Sequence, residues 1–244
     1  MTWSTDVSAG AWLTERTIGF ARDVGSVIPR SFEAYARVFH PLDDGRWADR
    51  AARNGRIAHP EMQLHLISAP PGAAPAGYEP LDEGSVGSLP ETELGTLAGI
   101  LRRHTGTPER AWFAVWEGWG LDGGAAYLVS SGEPVPAPPL APSEVLTGSR
   151  LELPQRGYVL LRGAVDDVTA VGELLRGQSA NLWWPEDRAW CVSTEIDFAW
   201  TYVGGTEAAV AEVLAGSTLE ALPARLTDGV TWQSDALNAA LDRP

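Results

Sequence analysis

Apolar residues recur along this chain with a period that switches between about 3.6 and two, and each switch predicts an element. Residues 11–24 (AWLTERTIGFARDV) place Trp12, Ile18 or Phe20, and Val24 at helical spacing, with a polar side from Thr14 to Arg22. That predicts a helix. Between Pro29 and Pro41, RSFEAYARVFH alternates Phe32, Ala34, Ala36 and Val38 with Glu33, Tyr35, Arg37 and Phe39, the period of a strand. Residues 47–53 predict a short helix, and 63–67 (QLHLI) a second strand. Residues 69–90 hold five prolines and read as loop. In 91–104, Leu94, Leu97, Ile100 and Leu101 share one helical face, and Gly106 and Pro108 follow as stops.

Further along, WFAVWEGWG from Trp112 predicts a strand and AAYLVSS from Ala125 its hairpin partner, with LDGG as the turn. EPVPAPPLAPS (133–143) has five prolines and predicts stiff extended chain. RGYVLLRGAV and RAWCVSTEIDF predict strands, 167–176 and 206–215 helices, and 219–226 another short element, while the last twelve residues look loosely held. The class expected is α+β, a mixed sheet with flanking helices. The proline stretch divides the chain into an N-terminal half (1–132), a linker or strap (133–149) and a C-terminal half (150–244), which can pack as one domain.

One echo crosses that boundary. PERAWFAVWE (108–117) and PEDRAWCVSTE (185–195) each run from Pro-Glu through Arg-Ala-Trp into a strand, with a glutamate five residues past the tryptophan. The expectation is two diverged strand–helix–strand copies, at the cost of a one-residue gap in the match.

Composition narrows the function. Forty-four per cent hydrophobic residues over 244 positions support a sizeable core. A single cysteine, Cys191, leaves no intramolecular disulfide framework. The first twenty residues lack the basic start and apolar stretch of a signal peptide, and no run approaches a membrane span, so a cytoplasmic setting is expected. All 18 cationic residues are arginine, and the net charge of −14 argues against nucleic acid and anionic membranes. A protein partner or a neutral small molecule is the expected ligand.

Candidate chemistry is sparse. If 189–198 is one strand, Trp190, Val192, Thr194, Ile196 and Phe198 share a face and Cys191, Ser193, Glu195 and Asp197 share the other. Glu195 and Asp197 then sit ~7 Å apart, a separation used by a general acid and base acting across a water. Glu117, set among Val115, Trp116 and Trp119, is either a tuned acid or an arginine's partner. A glycosidase-like hydrolase using Glu195, Asp197 and Glu117 is therefore one expectation, against the commoner one that Arg188, Arg162 or Arg156 simply pairs with these acids. Gly118, Gly120 and Gly123 match a dinucleotide fingerprint in letters alone, because no helix follows them. The four histidines show no ligand spacing, so neither metal nor cofactor is expected. Eleven tryptophans are many for this length. Trp183 and Trp184, on expected irregular backbone, are candidate groove residues together with Trp119 and Arg188. Alanine at Trp183 or Trp184 is then expected to weaken partner binding and spare the fold.

RSFEAYARVFHP, TPERAWFAVWEGWG and LWWPEDRAWCVSTEIDFAWTYVGG together resemble strings shared by a family of cytoplasmic proteins from high-GC bacteria. The resemblance covers most of the chain outside the proline-rich parts and implies no activity, cofactor or catalytic residue. The layout is also similar to that of the immunity proteins of bacterial toxin systems, at the level of fold class only. The leading expectation is a non-enzymatic binding protein with an acidic, tryptophan-bearing surface; the alternative is the hydrolase.

Overall fold

The structure, a computed structural model, describes residues 1–20, 22–73, 86–123, 125–127, 134–136 and 138–242. Its strands are β1 (Thr2–Ser4), β2 (Ala34–Phe39), β3 (Ala111–Trp116), β4 (Ala125–Tyr127), β5 (Pro134–Pro136), β6 (Leu151–Leu153), β7 (Arg156–Gly163), β8 (Leu182–Pro185), β9 (Cys191–Ser193), β10 (Trp200–Gly205) and β11 (Glu220–Ala224). Its helices are α1 (Ala11–Arg16), α2 (Trp47–Arg53), α3 (Leu64–Ile67), α4 (Glu91–Leu101), α5 (Ser143–Leu146), α6 (Val168–Leu174), α7 (Glu207–Ala215) and α8 (Ala236–Ala240). The α+β class expected from the sequence is the one adopted.

Nine strands make one sheet in the order β1-β7-β3-β8-β9-β10-β2-β11, with β6 also on β7, and every neighbouring pair is antiparallel. Strands from both sides of the proline stretch alternate in it, so β3 lies between β7 and β8, and β2 between β10 and β11. One row of side chains crosses six strands in register, from Leu161 through Phe113, Trp183, Val192 and Val203 to Ala36. It belongs to a buried cluster with residues of α4, α6 and α7. The opposite face carries Tyr35, Leu160, Trp184, Cys191 and Tyr202 into a second cluster with residues of α1, α2 and α3. The sheet is thus covered on both faces, and a period of two along a strand sorts residues between two cores rather than between core and water.

Several expected elements differ. The helix expected over 11–24 ends at Arg16, and Ile18 points to solvent. Residues 64–67 are helical, not extended, because Leu64 and Ile67 one turn apart reach the second core together. Residues 125–127 pair with β5 and not with β3, whose neighbours are β7 and β8; 124 and 128–131 of the expected hairpin, like 74–85 of the expected loop, lie outside the described residues. Leu182–Pro185, expected to be irregular, is β8 at the middle of the sheet. Only Cys191–Ser193 of the expected strand over 189–198 is extended in the sheet. In the echo, Trp112 packs on the second core and Trp190 in the first, so the two tryptophans face opposite sides.

Of the last twelve residues, those described (233–242) are tied down rather than loosely held. Asp235 is fully buried and its carboxylate accepts hydrogen bonds from the backbone of Gln63 (3.0 Å) and Asn238 (2.9 Å) and from the Asn238 amide (2.9 Å). His59 Nε2 lies 2.7 Å from it. Burial alone pushes this carboxyl up, but the bonds from His59, Asn238 and Gln63 outweigh it and hold it below the usual carboxylate range. A folded value below the unfolded one stabilises above the unfolded pKa and is lost as pH falls through the folded one. Asp235→Ala is expected to cost about 2–3 kcal/mol, by leaving buried donors unmet. In urea titrations repeated downward from neutral pH, the gap between wild type and variant should close only below about pH 4; a gap independent of pH would contradict the assignment.

Candidate functional site

The carboxylates singled out from the sequence meet at one end of the sheet, where β3 and β9 finish and β7 and β8 begin. Glu195, just past β9, is 9% exposed at its side chain and accepts from Arg156 Nε (2.8 Å) and Nη2 (2.7 Å) through one oxygen. Its other oxygen accepts from the Asp197 backbone N–H (2.8 Å). Asp197 stands 76% exposed, 3.6 Å from the same guanidinium. Arg156 in turn lies over Phe20 (4.6 Å) and Trp116 (5.7 Å). Glu117, 48% exposed, accepts from Arg150 Nε at 3.0 Å. Three further bonds fasten Arg150 to the carbonyls of Val145, Leu146 and Gly148. Trp119 packs edge-on against Trp116 (5.5 Å) and donates from Nε1 to Asn181 Oδ1 (3.1 Å).

That end offers little room. A cavity of about 30 Å³ sits among Thr17, Arg156, Tyr158 and Glu195, the space of roughly one water. No sugar ring fits it. Both glutamates are held by arginines, as carboxylates near strand ends commonly are. Cys191 is fully buried, and burial pushes its thiol up, which removes it as a nucleophile. Among the described residues no group of three or more potential ligands is placed to hold a metal ion.

The two tryptophans expected to line a groove do not. Trp183 and Trp184 are each 1% exposed, one in each core. As consecutive strand residues they point opposite ways, and the layers on both faces cover both rings. Of the eleven tryptophans, Trp12, Trp47, Trp183, Trp184, Trp190 and Trp200 are buried and only Trp232 is exposed, at 68%. The surplus of rings is core, not surface.

Arg188 lies at the opposite end of the sheet, in the turn between β8 and β9. Its backbone takes the left-handed conformation (φ 57°), uncommon for a side chain this large. Its amide donates to the Pro185 carbonyl (2.9 Å). Asp187 beside it pins the turn by accepting from Thr105 Oγ1 (2.8 Å) and Gly106 N–H (2.7 Å). There Arg188 borders a second concavity, a cleft of about 220 Å³ with walls from Trp12, Arg16, Phe32, Glu33 and Thr206. Phe32 meets Trp12 edge-on at 6.3 Å, and Trp12 meets Trp184 behind it at 6.1 Å. The Arg188 guanidinium sits 5.6 Å over the Trp12 ring. Glycine at 204 makes this wall: a Cβ there would come within 2.6 Å of the Phe32 ring. Thr206 caps α7 by accepting from the Ala209 N–H (3.2 Å), and Glu33 accepts from the Glu207 N–H (3.1 Å) at the same helix end.

Of the expected binding residues, then, only Arg188 borders this cleft. Arg16, Trp12, Phe32 and Glu33 carried no local signal of a site, since 12–33 and 188–206 lie far apart along the chain and meet only in the folded protein. No family model matches this chain, and no curated protein or solved structure matches it.

Proposed function

We propose that this is a non-catalytic binding protein, resident in the cytoplasm, whose ligand sits in the cleft between Arg16, Trp12 and Arg188. One observation carries the proposal. Among the described residues the two arginines bordering the cleft have no ion-pair partner, whereas the acids at the other end are already engaged by arginine. An exposed cation beside an aromatic wall is a ready recognition element. Among the described residues no helix is long and apolar enough to cross a membrane. The hydrolase reading through Glu195, Asp197 and Glu117 is less favoured, because Glu195 and Glu117 each accept from an arginine and the cavity beside Glu195 is about 30 Å³.

The test is a thermal-shift screen of small metabolites against wild type and Ser31→Trp, whose new ring fills the cleft from its exposed rim. A ligand at a hundred times its Kd adds about 2.7 kcal/mol, which for a chain of this size raises Tm by roughly 5–10 °C. Such rises are expected in wild type and absent in Ser31→Trp. Equal rises in both proteins would place the seat elsewhere.

A further inference from the structure

We propose that the ligand of this cleft is a small monocarboxylate carrying a flat ring, its carboxylate held by Arg16 and Arg188 and its ring against Trp12 and Phe32. This rests on the cleft being the binding seat. Local charge is the first argument. The whole chain carries −14, yet the cleft sets two guanidinium groups, Arg16 and Arg188, against one carboxylate, Glu33. Glu33 makes no ion pair with either arginine and accepts instead from the Glu207 N–H at the start of α7, so its charge lowers the cleft's sum to +1.

Among the described residues nine arginines are in ion pairs with aspartate or glutamate. Arg16 and Arg188 are in none, like the exposed Arg22, Arg46, Arg162, Arg176 and Arg225, but these two border one cleft. Guanidinium offers paired donors that match a carboxylate, and such charge-assisted bonds are about twice as strong as neutral ones. A net charge of +1 in the cleft suits one negative charge better than two.

The ring follows from the wall. Phe32, half-buried, offers ring surface to the cleft and is backed edge-on by the buried Trp12, over which Arg188 lies. The volume of about 220 Å³ falls below the ~300–1,000 Å³ of pockets for drug-sized ligands, which limits the guest to about one ring and its acid.

Isothermal titration of the full chain with phenylacetate, phenylacetamide, acetate and phenyl phosphate tests this, in wild type, Arg16→Gln, Arg188→Gln and Ser31→Trp. Both arginines are exposed, so the glutamine variants should keep the wild-type circular dichroism and Tm. Phenylacetate is expected to bind wild type at least tenfold more tightly than its amide or acetate, and each glutamine variant to lose tenfold or more. Equal binding of acid and amide, indifference to both glutamine variants, tighter binding of phenyl phosphate, or no heat from any probe would each overturn the ligand class. If acid and amide bind equally and Ser31→Trp abolishes both, the seat stands and only the carboxylate preference falls. If phenylacetate binds Ser31→Trp as well as wild type, the seat itself is lost.

Discussion

Trp183→Ala and Trp184→Ala are each expected to lower the free energy of unfolding by about 3–5 kcal/mol. Each ring is all but fully buried in its own core, and its neighbours are held by register across the sheet. Trp183 lies beside Phe113 and Val192 in the row on one face and meets Trp190 edge-on at 5.0 Å. Trp184 pairs with Trp112 in the ladder and backs Trp12, the wall of the cleft, on the other face. Truncation removes the ring's transfer free energy and leaves a cavity that strands fixed on both sides cannot close. In urea titrations the midpoint should fall with little change in slope, and Tm should drop by roughly 6–20 °C. The variants should separate in binding, because only Trp184→Ala removes support from Trp12. If both fold as stably as wild type, the two-sided burial is wrong.

Arg37→Ala is expected to cost about 4 kcal/mol, and Arg37→Met less than about 1.5 kcal/mol. Arg37 sits on β2, 1% exposed, with its guanidinium 3.8 Å over Trp200, 4.6 Å over Phe39 and 5.8 Å over Trp47. Nη1 donates to the Pro60 carbonyl (2.5 Å), while Nε and Nη2 find no partner among the described residues. Burial pushes it down to about 10, partly offset by the negative ends of Tyr202, Asp235, Glu61 and Asp228. The charge therefore persists through neutral pH in both folded and unfolded chains, and its desolvation penalty is constant there. Alanine removes both the penalty and the packing of the long stem, and the packing dominates. Methionine keeps the stem and removes the penalty, losing one hydrogen bond and a cation–π attraction of up to about 2 kcal/mol. Urea titrations of the two variants separate these contributions. Equal losses for alanine and methionine would mean that the charge itself holds the aromatic cage together.

Much of the architecture was legible because local pattern decides it. The alternation in AYARVF and RGYVLLRG marks two strands, and the apolar face of ETELGTLAGIL marks α4, since these periods follow from backbone geometry alone. Short segments were less secure. QLHLI and LWWP have too few residues to separate one period from another, and tertiary packing chose helix for the first and strand for the second. The tail read as loose because Asp235 and Asn238 are polar letters, and only their burial against His59 makes them a clasp.

The site was less legible than the fold. Composition and local pattern were enough for the class, the excess negative charge, the lone cysteine and the stretches able to form strands. It also carried Glu195 and Glu117 as equivalent-looking acids after matching strands, and their capture by Arg156 and Arg150 turns on partners 39 and 33 residues away. Tertiary packing settled that both sides of the central strands are covered and neither meets solvent. A second helical layer over the sheet placed Trp183, Trp184 and Cys191 in cores, where a one-sided sheet would have exposed half of them. Packing of α1 on the sheet face brought Arg16 beside Arg188, because distance along the chain says nothing of distance in space once antiparallel strands fold it back.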